Sequence, residues 1–295
     1  MKKIAFLAVA AFCTAAFLAY RYKAPEPRLL SADCYVSCFN GDVREQFRQE
    51  AVTPAFAAMH EQPLYYKLEN ATGEPVSFKA ADGTPAMGYQ IKSKHKTNNW
   101  ILVIQEWWGL NDYIKRESET LARELGDVNV LALDLYDGKV AATPDSAMKL
   151  VRAVKTERLE SIIKGAIAYS GAQAKIYAIG WCFGGMWSLQ TALLAGNQAA
   201  GCVMYYGRPE NDLSKLKTLH CDVIGFFGNK DKSPSPEMVT QFEHDMQGLG
   251  KKLKAYKYDA GHGFANPSNP SFNKEATEDA HKKAIAFLKA HLDSL

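Results

Sequence analysis

Residues 175–190 read KIYAIGWCFGGMWSLQ, and this stretch decides the fold. The apolar run at 175–179 predicts a buried strand, and a helical run follows from Gly184. Between them, the letters GWCFGG at 180–185 fit the G-x-C-x-G-G form of a nucleophile elbow with sulfur in place of the usual hydroxyl. The glycines matter because a sharp strand-to-helix turn leaves no room for a Cβ beside the nucleophile. The pattern therefore predicts that Cys182 is a nucleophile at a helix N-terminus, where negative charge is favoured. A buried core cysteine in a glycine-rich turn is the alternative.

Two further polar side chains follow predicted strands. Asp231 comes after the run at 222–227, and His262 comes after the run at 254–258 between two glycines. Because ligands of an open parallel sheet lie beyond the carboxyl ends of its strands, we expect Cys182, Asp231 and His262 to gather at one edge. Nucleophile, acid and histidine in this chain order are typical of α/β-hydrolases.

The other six histidines are interpreted as solvated surface residues. Two precede the predicted core, one enters a strand, and three lie on predicted helices with charged neighbours: His60 and His95, then His220, then His244, His281 and His291.

From about residue 76 onward, short β-rich runs alternate with amphipathic stretches. This alternation predicts an α/β fold with a mainly parallel sheet of about eight strands, covered by helices on both faces. Strands are expected at 76–80, 86–91, 100–104, 128–133, 175–179, 201–205, 222–227 and 254–258, with the first pair forming an antiparallel hairpin around Asp82-Gly83. Helices are expected at 112–125, 146–154, 158–170, 184–194, 236–248 and 274–292.

The chain begins with a different kind of segment. An apolar run at 4–20 follows Lys2-Lys3 and precedes Arg21, which predicts an export signal or membrane anchor in residues 1–20. Residues 21–75 contain scattered prolines and one short helical candidate at 42–51, and are interpreted as a tether and N-terminal extension. Residues 76–295 are then the enzyme domain. Localisation is expected to be outside the cytoplasm, with a possible membrane tether through residues 4–20.

The charge and the cysteines of the chain limit the partners and the compartment that it can have. The net charge is +3, and four positive residues flank the apolar segment, so the rest of the chain carries about −1. No basic face remains for nucleic acid, which is excluded as a partner. Cys34 and Cys38 lie just past the export segment, where an oxidising compartment would permit a disulfide, whereas Cys202 and Cys221 are expected in the core. A monomer is favoured.

The region from about 76 to 292 resembles the dienelactone hydrolase family of the α/β-hydrolase superfamily. Four motifs carry the resemblance: QEWWG at 105–109, GWCFGG at 180–185, GNKD at 228–231 and GHGF at 261–264. The resemblance implies a Cys-His-Asp triad that hydrolyses an ester or lactone of a small molecule through a thioacyl-enzyme. It requires no cofactor and no metal.

Glu106 acquires a role from the same resemblance, which implies that it contacts the thiol and helps to deprotonate it. A nearby carboxylate can take the proton, and it also disfavours a standing thiolate by like-charge repulsion. The backbone N–H groups of Trp107 and Phe183 would form the oxyanion hole. Without the resemblance, Glu106 is only a polar residue at a strand end.

The chain departs from the family pattern at Asn266. Four positions after the histidine, the family typically has an arginine that holds a substrate carboxylate, and asparagine brings no cation. Arg208 or Lys139, both after strands, could supply the charge instead, although surface positions are the simpler interpretation. Tyr206 resembles a pocket-lining residue.

Two rival functions stay open. The departure at Asn266 favours a general carboxylesterase or thioesterase on the same scaffold, and a noncatalytic ligand-binding or thiol-sensing protein is a further alternative. A sensor thiol needs no Asp-His pair, so the predicted triad favours an enzyme.

Overall fold

The computed structural model describes residues 41–292, which belong to one compact unit that begins at Gly41. The predicted export segment at 4–20 and the cysteines Cys34 and Cys38 lie outside the described residues. None of the helices in the described part of the chain is long and apolar enough to cross a membrane.

Eight strands form a single sheet, as predicted. Their bounds are β1 (Glu74–Lys79), β2 (Pro85–Ile91), β3 (Asn99–Ile104), β4 (Asn129–Leu133), β5 (Lys175–Trp181), β6 (Ala199–Tyr205), β7 (Val223–Gly228) and β8 (Leu253–Tyr258). The strands lie in the order β1-β2-β4-β3-β5-β6-β7-β8. β2 pairs antiparallel with β1 and β4, and every other neighbouring pair is parallel.

Nine α-helices lie within residues 41–292. They are α1 (Val43–Ala51), α2 (Pro54–Ala57), α3 (Asp112–Leu125), α4 (Pro144–Ala153), α5 (Thr156–Ser170), α6 (Phe183–Ala195), α7 (Leu213–Lys217), α8 (Pro236–Gly248) and α9 (Lys274–Leu292). All seven predicted helices are present, including the short candidate at 42–51, and α2 and α7 are short additions that the periodicity did not indicate.

The core follows from the composition of the central strands. From β3 to β7 almost every residue is buried, so both faces of the sheet must be covered. Helices supply that cover: α6 contacts β3, β5 and β6, while α3 packs on β2 and β4 and touches α9. Helix α6 is buried on nearly all sides, which agrees with its almost uninterrupted apolar sequence.

The N-terminal residues join this core. Asp42 caps α1 and Thr53 caps α2, where Pro54 occupies the first turn. The side chains of Phe47 and Phe56 are buried, and both helices pack against α4. Residues 43–60, which we call the N-terminal cover, therefore form part of the compact unit.

Candidate active site

The turn after β5 has the geometry that its glycines predicted. Cys182 adopts a left-handed backbone with φ +55° between the end of β5 and the start of α6. A Cβ at Gly180 would lie 2.1 Å from the carbonyl oxygen of Gly184, and a Cβ at Gly184 would lie 2.2 Å from that of Ile104. Only glycine fits at these two positions. The strained conformation of Cys182 holds its side chain above the sheet edge.

Asp231, His262 and Cys182 form a continuous chain of contacts. Asp231 follows β7 and His262 follows β8, as the sequence predicted. The Nδ1 atom of His262 lies 2.8 Å from Oδ2 of Asp231, and its Nε2 lies 3.2 Å from the Cys182 sulfur. The other oxygen of Asp231 accepts the backbone N–H of Ser233. All three side chains are buried.

Burial and the neighbouring charges have opposite effects on the pKa values of Cys182 and His262. Burial raises the pKa of the Cys182 thiol, although His262 opposes that effect, so the resting thiol is protonated near neutrality. Burial alone would lower the pKa of His262, but Asp231 and Cys182 raise it well above its ordinary value. The Asp231 carboxylate therefore stabilises the protonated form of the His262 ring.

Glu106 follows β3 and faces the same space. Burial raises the pKa of its carboxyl to about 7. Asn266 donates its side-chain N–H to Oε2 at 2.9 Å, and the Tyr206 hydroxyl donates to Oε1 at 3.4 Å. Both oxygens are thus engaged, and Glu106 influences the thiol through its charge, which raises the pKa of Cys182. Asn266 and Tyr206, expected to contact substrate, are here the partners of Glu106.

The two residues expected to form an oxyanion hole follow adjacent strands. Trp107 lies just beyond β3, Phe183 begins α6 after β5, and these two strands pair in parallel. The backbone N–H of Phe183 points at the Cys182 sulfur and favours its ionised form. The indole N–H of Trp107 is buried without a hydrogen-bond partner among the described residues.

His60 is not a solvated surface residue, and this corrects the interpretation from sequence. Its exposed fraction is 4 %, and its Nε2 lies 3.6 Å from the Cys182 sulfur. Its Nδ1 lies 2.9 Å from the carbonyl oxygen of Phe56, which fixes the proton on Nδ1 and leaves the lone pair on Nε2. Burial and the neighbouring His262 lower the pKa of His60 to about 3, so the ring is neutral.

Aromatic rings of the N-terminal cover close the space above the thiol. Phe56 stacks on His60 with ring centroids 4.4 Å apart and meets Trp107 edge-on at 5.2 Å. His60 in turn lies 5.0 Å from the ring of His262. The exposed fraction of Cys182 is only 2 % as a result.

The N-terminal cover is fixed to the loops that carry the site. Glu50 accepts hydrogen bonds from the guanidinium of Arg208 and from the hydroxyl of Ser233, each at 2.6 Å. Asn269 donates to the carbonyl oxygen of Met59 at 2.9 Å. Arg208, expected as a substitute charge for substrate, is therefore occupied by a carboxylate of the cover.

A cavity of about 300 Å³ lies beside the site. Glu106, Asn266, Trp181 and Tyr205 form its near wall, while Cys182 and His262 do not line it. The charged residues of the far wall carry both signs: Arg116, Glu117, Glu278 and Lys282. Lys139 lines a separate cavity of about 260 Å³ together with Tyr136, whose buried hydroxyl has no hydrogen-bond partner among the described residues.

One set of side chains in residues 41–292 could hold a metal ion: His60, Cys182 and His262. Sequence reasoning missed His60 and Phe56. The local signal near them is the Thr53-Pro54 pair, which is typical of a helix start. If a helical turn follows this pair, Phe56 and His60, four residues apart, lie on the same side of it.

Comparisons with known proteins indicate the family to which the chain belongs. The family model described as the dienelactone hydrolase family matches residues 87–292. A carboxymethylenebutenolidase of a Pseudomonas species is 28 % identical over 203 residues, which cover 64 % of this chain and 83 % of the relative. A protein called usf from Aquifex pyrophilus is 24 % identical over 221 residues, covering 70 % and 95 % of the two chains.

Two solved structures share the fold at low sequence identity. One is a dienelactone hydrolase-like promiscuous phosphotriesterase from metagenomic libraries, with a TM-score of 0.62 and 20 % identity over 74 % of this chain and 98 % of that one. The other is an esterase of Pyrococcus furiosus, with a TM-score of 0.58 and 14 % identity over 78 % and 99 %. The fold is thus that of the α/β-hydrolases. Because the family model covers most of the compact unit, the chain belongs to the dienelactone hydrolase family and is an ester hydrolase.

Proposed function

We propose that the protein hydrolyses an ester or lactone of a small molecule with Cys182 as nucleophile, through a thioacyl-enzyme. The observation that carries the proposal is the contact chain from Asp231 through His262 to the Cys182 sulfur, at the carboxyl ends of parallel strands of one sheet. Its components have the roles of a general base and a positioned nucleophile. Family membership supports the reaction class.

In the first half of the reaction, Nε2 of His262 takes the thiol proton and the sulfur attacks the substrate carbonyl carbon. The resulting oxyanion would be held by the backbone N–H groups of Trp107 and Phe183. The tetrahedral intermediate then collapses, the carbon–oxygen bond breaks, and His262 returns its proton to the leaving alkoxide. Asp231 holds the imidazole in the required tautomer and stabilises its charged form.

The second half regenerates the thiol. A water molecule gives a proton to His262 as its oxygen attacks the thioester carbon. The carbon–sulfur bond then breaks, the sulfur recovers the proton, and the carboxylic acid leaves. In a lactone, acid and alcohol remain in one product molecule.

Glu106 regulates the ionisation of the thiol in this scheme. Its pKa of about 7 means that it changes charge within the working range of a neutral hydrolase. As an anion it opposes a standing thiolate, which protects the sulfur from oxidation between turnovers. Asn266 and Tyr206 hold it in place and thereby act as positioning residues.

We further propose that the preferred substrates carry no carboxylate near the scissile bond. The side-chain amide of Asn266 is neutral and donates a hydrogen bond to Glu106, and the guanidinium of Arg208 is paired with Glu50. Neither residue thus offers a free cation to a substrate anion, and Glu106 would repel such an anion. Neutral esters or lactones avoid that repulsion.

The test is a panel of lactones, aryl esters and acyl thioesters, offered as neutral and carboxylate-bearing pairs to the full chain. We expect kcat/KM for a neutral ester or lactone to equal or exceed that of its anionic partner. Cys182→Ala should lower kcat by roughly a thousandfold or more, whereas Cys202→Ala, in the core, should change it little. Mass spectrometry of quenched reactions should find the acyl group on Cys182.

Three results would contradict the proposal. Near-parental turnover by Cys182→Ala would remove the nucleophile assignment. A strong preference for the anionic substrate that disappears in Arg208→Ala would show that Arg208 binds substrate. A clear preference for acyl thioesters would favour the thioesterase alternative.

A further inference from the structure

Three buried ligand atoms converge at the active site. The Cys182 sulfur and the imidazoles of His60 and His262 each present one atom, and the three atoms lie within 4.8 Å of one another. The side chain of His60 reaches this position from the N-terminal cover, 122 residues away in sequence from Cys182. The proposed hydrolysis uses only two of the three, so His60 is left without a catalytic role.

Both imidazoles have their Nδ1 atoms engaged, so Nε2 is the atom that faces the thiol. His262 presents Nε2 to the sulfur because its Nδ1 is bonded to Asp231 at 2.8 Å. His60 presents Nε2 because its Nδ1 is bonded to the Phe56 carbonyl oxygen at 2.9 Å. A carboxylate or a backbone carbonyl behind Nδ1 is the arrangement that orients histidine ligands in metal sites.

The two sulfur–nitrogen distances are close to those of a tetrahedral zinc site. With zinc–sulfur bonds of about 2.3 Å and zinc–nitrogen bonds of about 2.0–2.1 Å, a ligand sulfur and nitrogen lie about 3.6 Å apart. The two sulfur–nitrogen distances here are 3.2 Å for His262 and 3.6 Å for His60. The two Nε2 atoms lie within 4.8 Å of each other, and a tetrahedral site requires about 3.3 Å, so coordination requires the two rings to move closer together.

We propose that Cys182, His60 and His262 bind Zn²⁺ with a fourth position open to water, and that the bound ion reversibly switches the hydrolase off. Thiolate and imidazole are the ligands that zinc prefers, and three protein ligands plus water is a common zinc arrangement. On binding, the thiol proton and the Nε2 proton of the charged His262 ring leave to solvent, a zinc–sulfur bond forms, and each Nε2 donates its lone pair. The sulfur electrons needed for attack are then engaged by the metal. The zinc site is independent of the proposed function, whereas the inhibition rests on it.

The other histidine–carboxylate pairs of the described residues lack these properties. His95 meets Asp127 at an exposed position, with 76 % of its side chain accessible. His281 lies between Glu117 and Glu124, and His291 lies 3.3 Å from Asp222, and among the described residues neither histidine belongs to a ligand group with a thiol. A zinc ion bound there would be distinguishable because no sulfur would contact it.

The test measures metal binding and hydrolysis separately on the reduced full chain. Titration with Zn²⁺ should give one tight site, and Co²⁺ in its place should produce the near-ultraviolet absorption of a cobalt–thiolate bond. Cys182→Ser, a change of one atom, should abolish that absorption. His60→Ala should weaken zinc binding by at least about tenfold to a hundredfold, since even outer partners of ligands have effects of that size. His95→Ala is the matched control and should bind zinc as the parent does.

The outcomes separate the two proposals. Zinc affinity that is unchanged in both Cys182→Ser and His60→Ala, or bound cobalt without a thiolate band, would overturn the metal site. If the band is present and hydrolysis persists undiminished at saturating zinc, the inhibitory switch is overturned. Activity that falls with zinc and returns with a chelator supports it. If no substrate in the panel is hydrolysed, the proposed function fails while the cobalt band still reports on the site.

Discussion

The Cys182 thiol has two imidazole neighbours, and different acceptors anchor them. Asp231 behind His262 provides a full negative charge, which stabilises a protonated ring. The Phe56 carbonyl behind His60 provides only a dipole, and burial keeps the pKa of that ring at about 3. His262 can therefore accept and return a proton during turnover, whereas His60 offers a permanent lone pair.

Glu106 leads to a prediction about pH and stability. The ordinary pKa of a glutamate is 4.5, and burial raises that of Glu106 to about 7 in the folded protein. Between these values the folded state binds more protons than the unfolded state, so stability falls as pH rises. The free energy of unfolding should decrease by about 3 kcal/mol from this residue alone. Denaturant unfolding of the parent and Glu106→Gln at several pH values between 4 and 8 would measure the difference.

The sign of this difference is decisive. Relative to Glu106→Gln, the parent should be most stable below about pH 4.5 and should lose that advantage by about pH 7. Glu61→Gln, which removes an exposed carboxylate, controls for the loss of one charge. Parallel stability curves for the parent and Glu106→Gln would show that Glu106 ionises at its ordinary pKa.

Some residues of the candidate site could be predicted from sequence and others could not. Cys182, Asp231 and His262 have local signals, because each follows an apolar strand and the first and last have glycine neighbours. His60 and Phe56 have none of comparable strength, since their burial depends on contacts with residues distant in sequence, among them Trp107 and His262. The pairing of Arg208 with Glu50 was missed for the same reason.

Among the structural elements, the elbow between β5 and α6 has the least room for change. A Cβ at Gly184 would approach two backbone carbonyl oxygens, of Ile104 at 2.2 Å and of Gln105 at 2.5 Å, and neither can rotate away. Gly184→Ala should therefore reduce the free energy of unfolding by about 3 kcal/mol or abolish folding. Gly248→Ala is the control, because a Cβ there meets nothing within 4 Å. Equal denaturation midpoints for the two variants would contradict the crowding.

The strands were predictable because the strands inside a buried sheet have continuous runs of apolar residues. Strands β3 to β7 are buried on both faces, so each consists of a run of apolar residues between turns. Helix α1 corresponds to the short candidate at 42–51, but α2 begins at Pro54 and has only four residues, too few for a periodicity to mark it. Tertiary packing against α4 stabilises them, and that packing is absent from any local pattern.

Phe56 provides a test of the N-terminal cover. Its ring stacks on His60 and contacts Trp107, so Phe56→Ala should open a path to the thiol. Alkylation of Cys182 should accelerate by about tenfold or more, because a tenfold change in an opening equilibrium requires only about 1.4 kcal/mol, less than the packing energy of a buried phenylalanine. Peptide mapping after timed exposure to an alkylating reagent would measure the rate at each cysteine.

Two comparisons make that result specific. Phe272→Ala removes a ring that is already 39 % exposed and should leave the rate unchanged. Cys202 and Cys221 should stay protected in Phe56→Ala, since they lie in the core. Simultaneous labelling of all three cysteines would indicate general unfolding and would contradict a local cover.

At the scale of the whole molecule, we propose that the segment at residues 4–20 exports the chain. Its basic flanks and apolar length motivate this proposal. Cell fractionation should find the full-length protein outside the cytoplasm, either free or on a membrane, and a variant without residues 1–23 should remain inside. Recovery of the full chain from the cytosol with Met1 intact and no membrane association would contradict export.

The N-terminal cover, residues 43–60, lies outside residues 87–292, which match the family model, yet it encloses the proposed nucleophile. Chemistry and access are therefore encoded in separate parts of the gene. Mutation or recombination upstream of residue 87 can change the shape of the space above the thiol. Cys182, Asp231 and His262 would remain the same. Two family members with identical reacting groups can diverge in what they admit, and an alignment restricted to the shared module would not record the difference.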